Sequence, residues 1–314
     1  MTYAYDRELA PLVALLPQTG GLDDVPAARA AIYDLIAKSG MVADLSGLDV
    51  DDRAIPGPAG SPDVVVRVYR PQGATAARPG VLWIHGGGFC VGSIESEHVG
   101  AAALAKALGV VVVNVEYRLA PEHPFPAGIE DCYAALQWLH GSADELVVDT
   151  DRIAVMGQSA GGGLAAALAL LARDRGGPAL CFQVLGIPEL DDRLDTDSMR
   201  VFTDTPLWSR PNAIMSWQHY LDGATEVSPY AAPARATDLA GLPPAYISTM
   251  QFDPLRDEGI LYGLALLRAG VAVELHSFPG TFHGSALFPV AVSRRASAEV
   301  VTVLRRALDL DPRK

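Results

Sequence analysis

Gly157-Gln158-Ser159-Ala160-Gly161 stands between two apolar stretches of unequal length. The run before it, Arg152 to Met156, is short and led by a charge, which predicts a buried strand. The run after it, Gly162 to Ala172, suits a buried helix. A chain that passes from strand to helix within one pentapeptide must turn sharply, and the turn lifts the central side chain out of the sheet. The small flanking residues let neighbouring backbone pass close by. Ser159 is therefore a candidate nucleophile, although a glycine-rich turn with a helix-capping serine reads the same way on these residues alone. With 30 Gly and 16 Ser in 314 residues, G-x-S-x-G arises by chance roughly 0.15 times per chain, so the motif needs partners.

The first partner is His85-Gly86-Gly87-Gly88-Phe89, which follows the strand-like Gly80 to Ile84. Consecutive glycines cost backbone entropy and are tolerated where bare backbone must approach something closely. Here that something would be an oxyanion: N–H groups of such a loop, with the N–H after the nucleophile, form the oxyanion hole in one class of hydrolases. A flexible loop and a phosphate cradle are the competing readings, and the cradle lacks the G-K-[ST] that would support it. The second partner is an acid and a base in chain order. Asp253 follows the apolar Pro244 to Met250, and His283 follows Val271 to Phe278. Histidine suits a base because it is neutral near pH 7 and still accepts a proton. Glu189 and Asp191, after Leu180 to Ile187, are alternative acids at an earlier strand end. Asp257 and Glu258 read as braces of the following helix, His276 as a structural strand residue, and His85 as a group that orders the glycine loop.

These stretches, with Glu116 to Glu122 and Phe125-Pro126-Ala127, resemble the bacterial hormone-sensitive-lipase-like esterases of the α/β-hydrolase superfamily. The matching motifs run from about residue 81 to 286 and are jointly specific. Ile187 to Arg193, Asp204 to Trp208 and Leu275 to Ser285 carry a closer likeness to one member of that family. The resemblance implies Ser159 as nucleophile, Asp253 as acid and His283 as base, with Gly87, Gly88 and Ala160 as oxyanion donors through their N–H groups. The expected activity is hydrolysis of small to medium acyl esters, acetylated aromatic or alkaloid-type esters included, with no cofactor. An amidase or transacylase on the same triad, or a non-catalytic small-molecule binder, are the alternatives. Gln158 departs from the Asp or Thr of many relatives, which leaves the triad intact and blurs substrate preference. The family also implies pairing through a sheet edge, hence a homodimer.

Strand-like runs recur near Val64 to Tyr69, Val81 to Ile84, Val110 to Val115, Ile153 to Met156, Leu180 to Ile187, Ala245 to Met250 and Ala272 to Phe278, with helical patterns between most of them. That alternation predicts a single α/β domain over 1–314, with a mostly parallel sheet and helices on both faces. Asp63 to Arg70 is expected to pair antiparallel with a strand near Val50 to Ile55. Two stretches fall outside the rhythm: residues 1 to about 45, read as amphipathic helices, and about 190 to 235, rich in Asp, Pro and aromatic side chains. In the resembled family they form a helical cap, and Phe202 and Trp208 are candidate pocket-wall residues.

A net charge of −13 argues against a nucleic-acid partner. No apolar run reaches the ~18 residues of a membrane span, and the polar residues Met1 to Glu8 do not read as a signal peptide. Cys90, Cys132 and Cys181 are expected as free thiols in a reducing, cytoplasmic setting. No metal is implied, because neither H-E-x-x-H nor paired C-x-x-C occurs.

Overall fold

The structure, a computed structural model, describes residues 3–16, 21–40 and 42–310. The expectations for Met1, Thr2, 17–20 and 41 lie outside those residues.

In chain order the elements are α1 (Ala10–Val13), α2 (Val25–Ser39), β1 (Leu48–Ile55), β2 (Val64–Pro71), β3 (Arg78–Ile84), α3 (His98–Leu108) and β4 (Val111–Glu116). Then come α4 (Ala127–Gly141), α5 (Ala143–Leu146), β5 (Val148–Gln158), α6 (Ala160–Asp174), β6 (Phe182–Gly186), α7 (Asp197–Val201) and α8 (Arg210–Leu221). The chain closes with β7 (Ala245–Phe252), α9 (Arg256–Arg268), β8 (Val273–Phe282) and α10 (Ala291–Ala307). The eight strands form one sheet in the order β1-β2-β4-β3-β5-β6-β7-β8. β2 runs antiparallel to both β1 and β4, and the remaining pairs are parallel. This is the α/β-hydrolase fold. Val50 faces Tyr69 and Ile55 faces Val64, which is the early hairpin expected from the sequence.

Alternation along the strands divides the core in two. Leu82 and Ile84 of β3 pack with Ile153, Val155 and Ile247 beneath α4, α6 and α9. Val81 and Trp83 point the other way, to Ala154, Val184 and Tyr246 beneath α3 and α10. Helices therefore cover both faces. A third cluster lies outside the sheet. Leu22, Val25, Met199, Trp208 and Ala213 pack on Cys90, Val91 and Ala120, so the early segment and the α7–α8 segment meet over the loop after β3.

The early segment is less helical than its pattern indicates. α1 is a single short turn, and α2 starts only where Asp24 caps the Ala27 N–H at 2.9 Å beside Pro26. α2 ends at Gly40 in the left-handed region. Upstream, the Asp6 N–H donates to the Gly280 carbonyl at 2.8 Å, so the N-terminal segment is laid against the loop that precedes His283. β8 also runs past the expected Phe278. The register shifts between Met250 and Phe252, and Phe252 then faces Phe282.

Candidate active site

The turn from β5 into α6 is as tight as its glycines imply. A Cβ on Gly157 would stand 2.2 Å from the Gly161 carbonyl oxygen, and one on Gly161 would stand 2.2 Å from that of Ile84. Neither distance is open to a real side chain, so β3, β5 and α6 meet here only because both positions are bare. Ser159 sits at the apex with φ 56° and ψ −125°, a region where non-glycine residues are strained. Three backbone bonds hold it there: its N–H to Gly186 O at 2.8 Å, and its carbonyl to the N–H groups of Gly163 and Glu189 at 3.0 and 3.1 Å.

The hydroxyl, imidazole and carboxylate converge from three strand ends. Ser159 Oγ lies 3.0 Å from His283 Nε2. His283 Nδ1 lies 2.8 Å from Asp253 Oδ2, and the Leu255 N–H donates to Asp253 Oδ1 at 2.9 Å. All three side chains are buried. With Nδ1–H donated to the carboxylate, Nε2 is left as an acceptor aimed at the serine hydroxyl.

The glycine loop lies beside this line. Gly87 and Gly88 adopt φ 123° and 55°. The Gly87 carbonyl accepts from the N–H groups of Cys90 and Val91 at 3.1 and 3.0 Å, and the Ser216 hydroxyl of α8 donates to the Gly88 carbonyl at 3.1 Å. Among the described residues, no hydrogen bond takes up the N–H groups of Gly87, Gly88 or Ala160. His85 braces the loop from below. Its Nδ1 lies 2.8 Å from the Gly86 carbonyl, its ring stacks on Tyr117 at 4.1 Å, and Tyr117 OH donates to the His85 carbonyl at 3.0 Å. Burial pulls His85 down to about 4, so it is a neutral donor.

The other candidates separate. Trp208 comes to the site: its ring lies 5.6 Å from that of His283, and its Cη2 would stand 2.6 Å from a Cβ on Gly88. Phe202 joins a different cluster. Its ring lies 5.8 Å from Tyr3 and 6.2 Å from Phe252, under the Arg256 guanidinium. Asp257 accepts from the Ser198 N–H at 2.8 Å, so it ties α9 to α7. Glu258 accepts from the Leu190 and Asp191 N–H groups at 2.6 and 3.3 Å. His276 turns outward to Glu299 at 2.7 Å. Cys90 packs in the apolar cluster, and burial pushes its thiol up to about 12.

Three contributors carry no signature of their own in the sequence. Ser216 is an isolated serine in a helix. Arg29 of α2 reaches the Cys90 and Ala120 carbonyls at 2.8 and 3.0 Å and pairs with Glu122. Tyr117 lies inside the Glu116 to Glu122 motif, which marked the stretch without giving the residue a task.

A mostly parallel sheet with serine, carboxylate and histidine at the ends of β5, β7 and β8 defines an α/β-hydrolase. A family model described as "alpha/beta hydrolase fold" matches residues 81–287, and the chain belongs to that family. It is 41% identical over 313 residues to the carboxylesterase NlhH of Mycobacterium tuberculosis, with 96% of each chain covered. It is 43% identical over 242 residues to the esterase LipI of the same organism, covering 76% of this chain and 75% of LipI. Among solved structures it superposes on the bacterial heroin esterase with a TM-score of 0.94 at 53% identity, covering 97% of this chain and 98% of that one. The esterase LipW of Mycobacterium marinum follows the same path, with a TM-score of 0.88 at 36% identity over 97% and 96% of the two chains.

Proposed function

We propose that Ser159, His283 and Asp253 are the nucleophile, base and acid of ester hydrolysis, with Gly87, Gly88 and Ala160 as oxyanion donors. The protein is a serine carboxylesterase. The observation that carries the site assignment is the unbroken hydrogen-bonded line from Ser159 Oγ through His283 to Asp253.

In this reading Ser159 Oγ attacks the ester carbonyl while His283 Nε2 takes its proton. The carbonyl oxygen becomes an oxyanion facing the three free N–H groups, each worth ~3 kcal/mol if lost. Asp253 holds the imidazole and stabilises its charged form. The imidazolium protonates the leaving alkoxide, which departs as the alcohol and leaves an acyl-serine. Water, deprotonated by His283, repeats the sequence and frees the acid. No step in this scheme calls on a cofactor. A fluorophosphonate ester should attach a single phosphonyl group to the peptide containing Ser159, read by mass spectrometry. Label on any other side chain would overturn the assignment.

The substrate reading is small to medium acyl esters, acetylated aromatic alcohols among them, and the likeness to the heroin esterase supports it. The meeting of Leu22 and Val25 with Trp208 and Ala213 supports a cap made by residues 1 to about 45 and 190 to 235. Trp208 is its wall over His283. Trp208→Ala is expected to raise kcat/KM for long acyl chains relative to acetyl by about tenfold. Esters of graded chain length measure this, and an unchanged ratio removes Trp208 from the wall.

A homodimer is supported by the outer edge of β8, unpaired among the described residues, beside which Leu261, Leu264 and Leu275 are exposed. A cytoplasmic setting is supported by the three unpaired thiols. Among the described residues no helix is long and apolar enough to cross a membrane.

A further inference from the structure

Glu189 lies in the loop after β6 with its side chain fully buried. Neither carboxyl oxygen has a well-formed hydrogen bond among the described residues, although the Ser216 hydroxyl lies close enough to act on it. A carboxyl in that state is costly to keep and calls for a reason. The loop that carries it is fixed. The Glu189 N–H holds the Ser159 carbonyl at 3.1 Å, and Glu258 grips the next two N–H groups.

The hydroxyl, thiol and carboxyl groups that act on this carboxyl are Ser216 and Tyr220 of α8, Cys90 of the glycine loop, Glu258 of α9, and Asp253. Ser216 is the one that connects it to the site, because its hydroxyl donates to the Gly88 carbonyl. A hydroxyl has a single hydrogen to give. A protonated Glu189 leaves that hydrogen on Gly88 and can itself donate to the Ser216 oxygen. A carboxylate competes for the hydrogen and draws it off Gly88.

We propose that Glu189 is a positioning residue for the oxyanion loop, acting through the Ser216 hydroxyl on the Gly88 carbonyl. The inference rests on the oxyanion role given above to the Gly88 N–H. Burial, reinforced by the Asp253 charge, pushes Glu189 up to about 8. Burial also holds Glu258 well above the usual carboxylate range, pushes Cys90 up to about 12 and raises Tyr220. The carboxyl is neutral at pH 7 and ionises as the pH rises through about 8.

The test is kcat for p-nitrophenyl acetate between about pH 6 and about pH 9.5, with spontaneous hydrolysis subtracted. Wild type is expected to lose activity on an alkaline limb centred near pH 8. Glu189→Gln keeps an N–H donor and cannot ionise; it should stay within about threefold of wild type at pH 7 and lack the limb. Ser216→Ala should lower kcat about tenfold with KM unchanged, and should also lack the limb. A flat wild-type profile, a limb retained by Glu189→Gln, or one that survives Ser216→Ala would each overturn the proposal. Circular dichroism checks folding, and should Glu189→Gln not fold, Ser216→Ala decides alone. Phosphonyl labelling separates the two levels. Label on Ser159 with the wrong pH profile removes only this inference, whereas label elsewhere removes the catalytic assignment beneath it.

Discussion

Ser159→Ala is expected to lower ester turnover by about 10⁶-fold, some 8 kcal/mol of barrier, while the protein stays folded. The size of the loss follows from the geometry. Among the described residues, Ser159 Oγ is the hydrogen-bond partner of His283 Nε2, at 3.0 Å, so without it the imidazole has water left to activate. A residual rate above the uncatalysed one is expected from the oxyanion donors alone. Stability should hold to within about 1 kcal/mol, because alanine accepts the same backbone and gives up only one side-chain hydrogen bond. Glycine at this position makes a sharper test. The φ of 56° and ψ of −125° strain any residue with a Cβ, at about 1–3 kcal/mol. Ser159→Gly should therefore be as inactive as the alanine variant yet about 1 kcal/mol more stable, after the extra chain entropy of glycine is deducted. Urea unfolding measures both variants. An alanine variant with more than a hundredth of wild-type turnover would remove Ser159 from the nucleophile role.

Asp253→Asn is expected to cost about 10⁴-fold in kcat, with little change in KM. The carboxylate uses both oxygens as acceptors, Oδ2 from His283 and Oδ1 from the Leu255 N–H. An amide has only one acceptor oxygen. If it serves Leu255, its NH₂ faces His283 Nδ1, and the ring must carry its proton on Nε2, where it can no longer accept from Ser159. If it serves His283, a donor is pressed against the Leu255 N–H and the imidazolium has no counter-charge. Both outcomes disable the base without emptying the pocket. Steady-state kinetics beside Glu189→Gln decides which carboxyl is the acid. A collapse of Glu189→Gln with Asp253→Asn nearly intact would move the acid to the end of β6.

The parts of this arrangement that sequence made legible are those confined to short segments. Ser159, the glycine loop, Asp253 and His283 each close a strand-like run, and their chain order fits one hydrogen-bonded line. The apolar runs located the strands because a parallel strand buried on both faces has no other composition open to it. What stayed hidden depends on segments far apart in the chain. Ser216 reaches Gly88 across 128 positions, and Arg29 reaches Cys90 across 61. Neither serine nor arginine in a helix announces such a partner. Glu189 looked like a spare acid because its strand end is correct. Its complete burial among Ser216, Tyr220 and Glu258 is a property of the assembled fold. Phe202 and Trp208 read alike as cap aromatics, but the N-terminal segment draws Phe202 toward Tyr3 while Trp208 settles on Gly88.

The bare corner where β3, β5 and α6 touch has a consequence for anyone reshaping this enzyme. At Gly157 and Gly161 even a methyl group would meet backbone oxygen at 2.2 Å, and backbone cannot step aside. Library diversity placed there is spent on clones that cannot fold, whatever substrate they were meant to take. Trp208 instead meets the site with its side chain, its Cη2 over Gly88 and its ring 5.6 Å from that of His283. Selection for a new ester should therefore enrich changes around residues 202 to 221 and leave the corner as it stands.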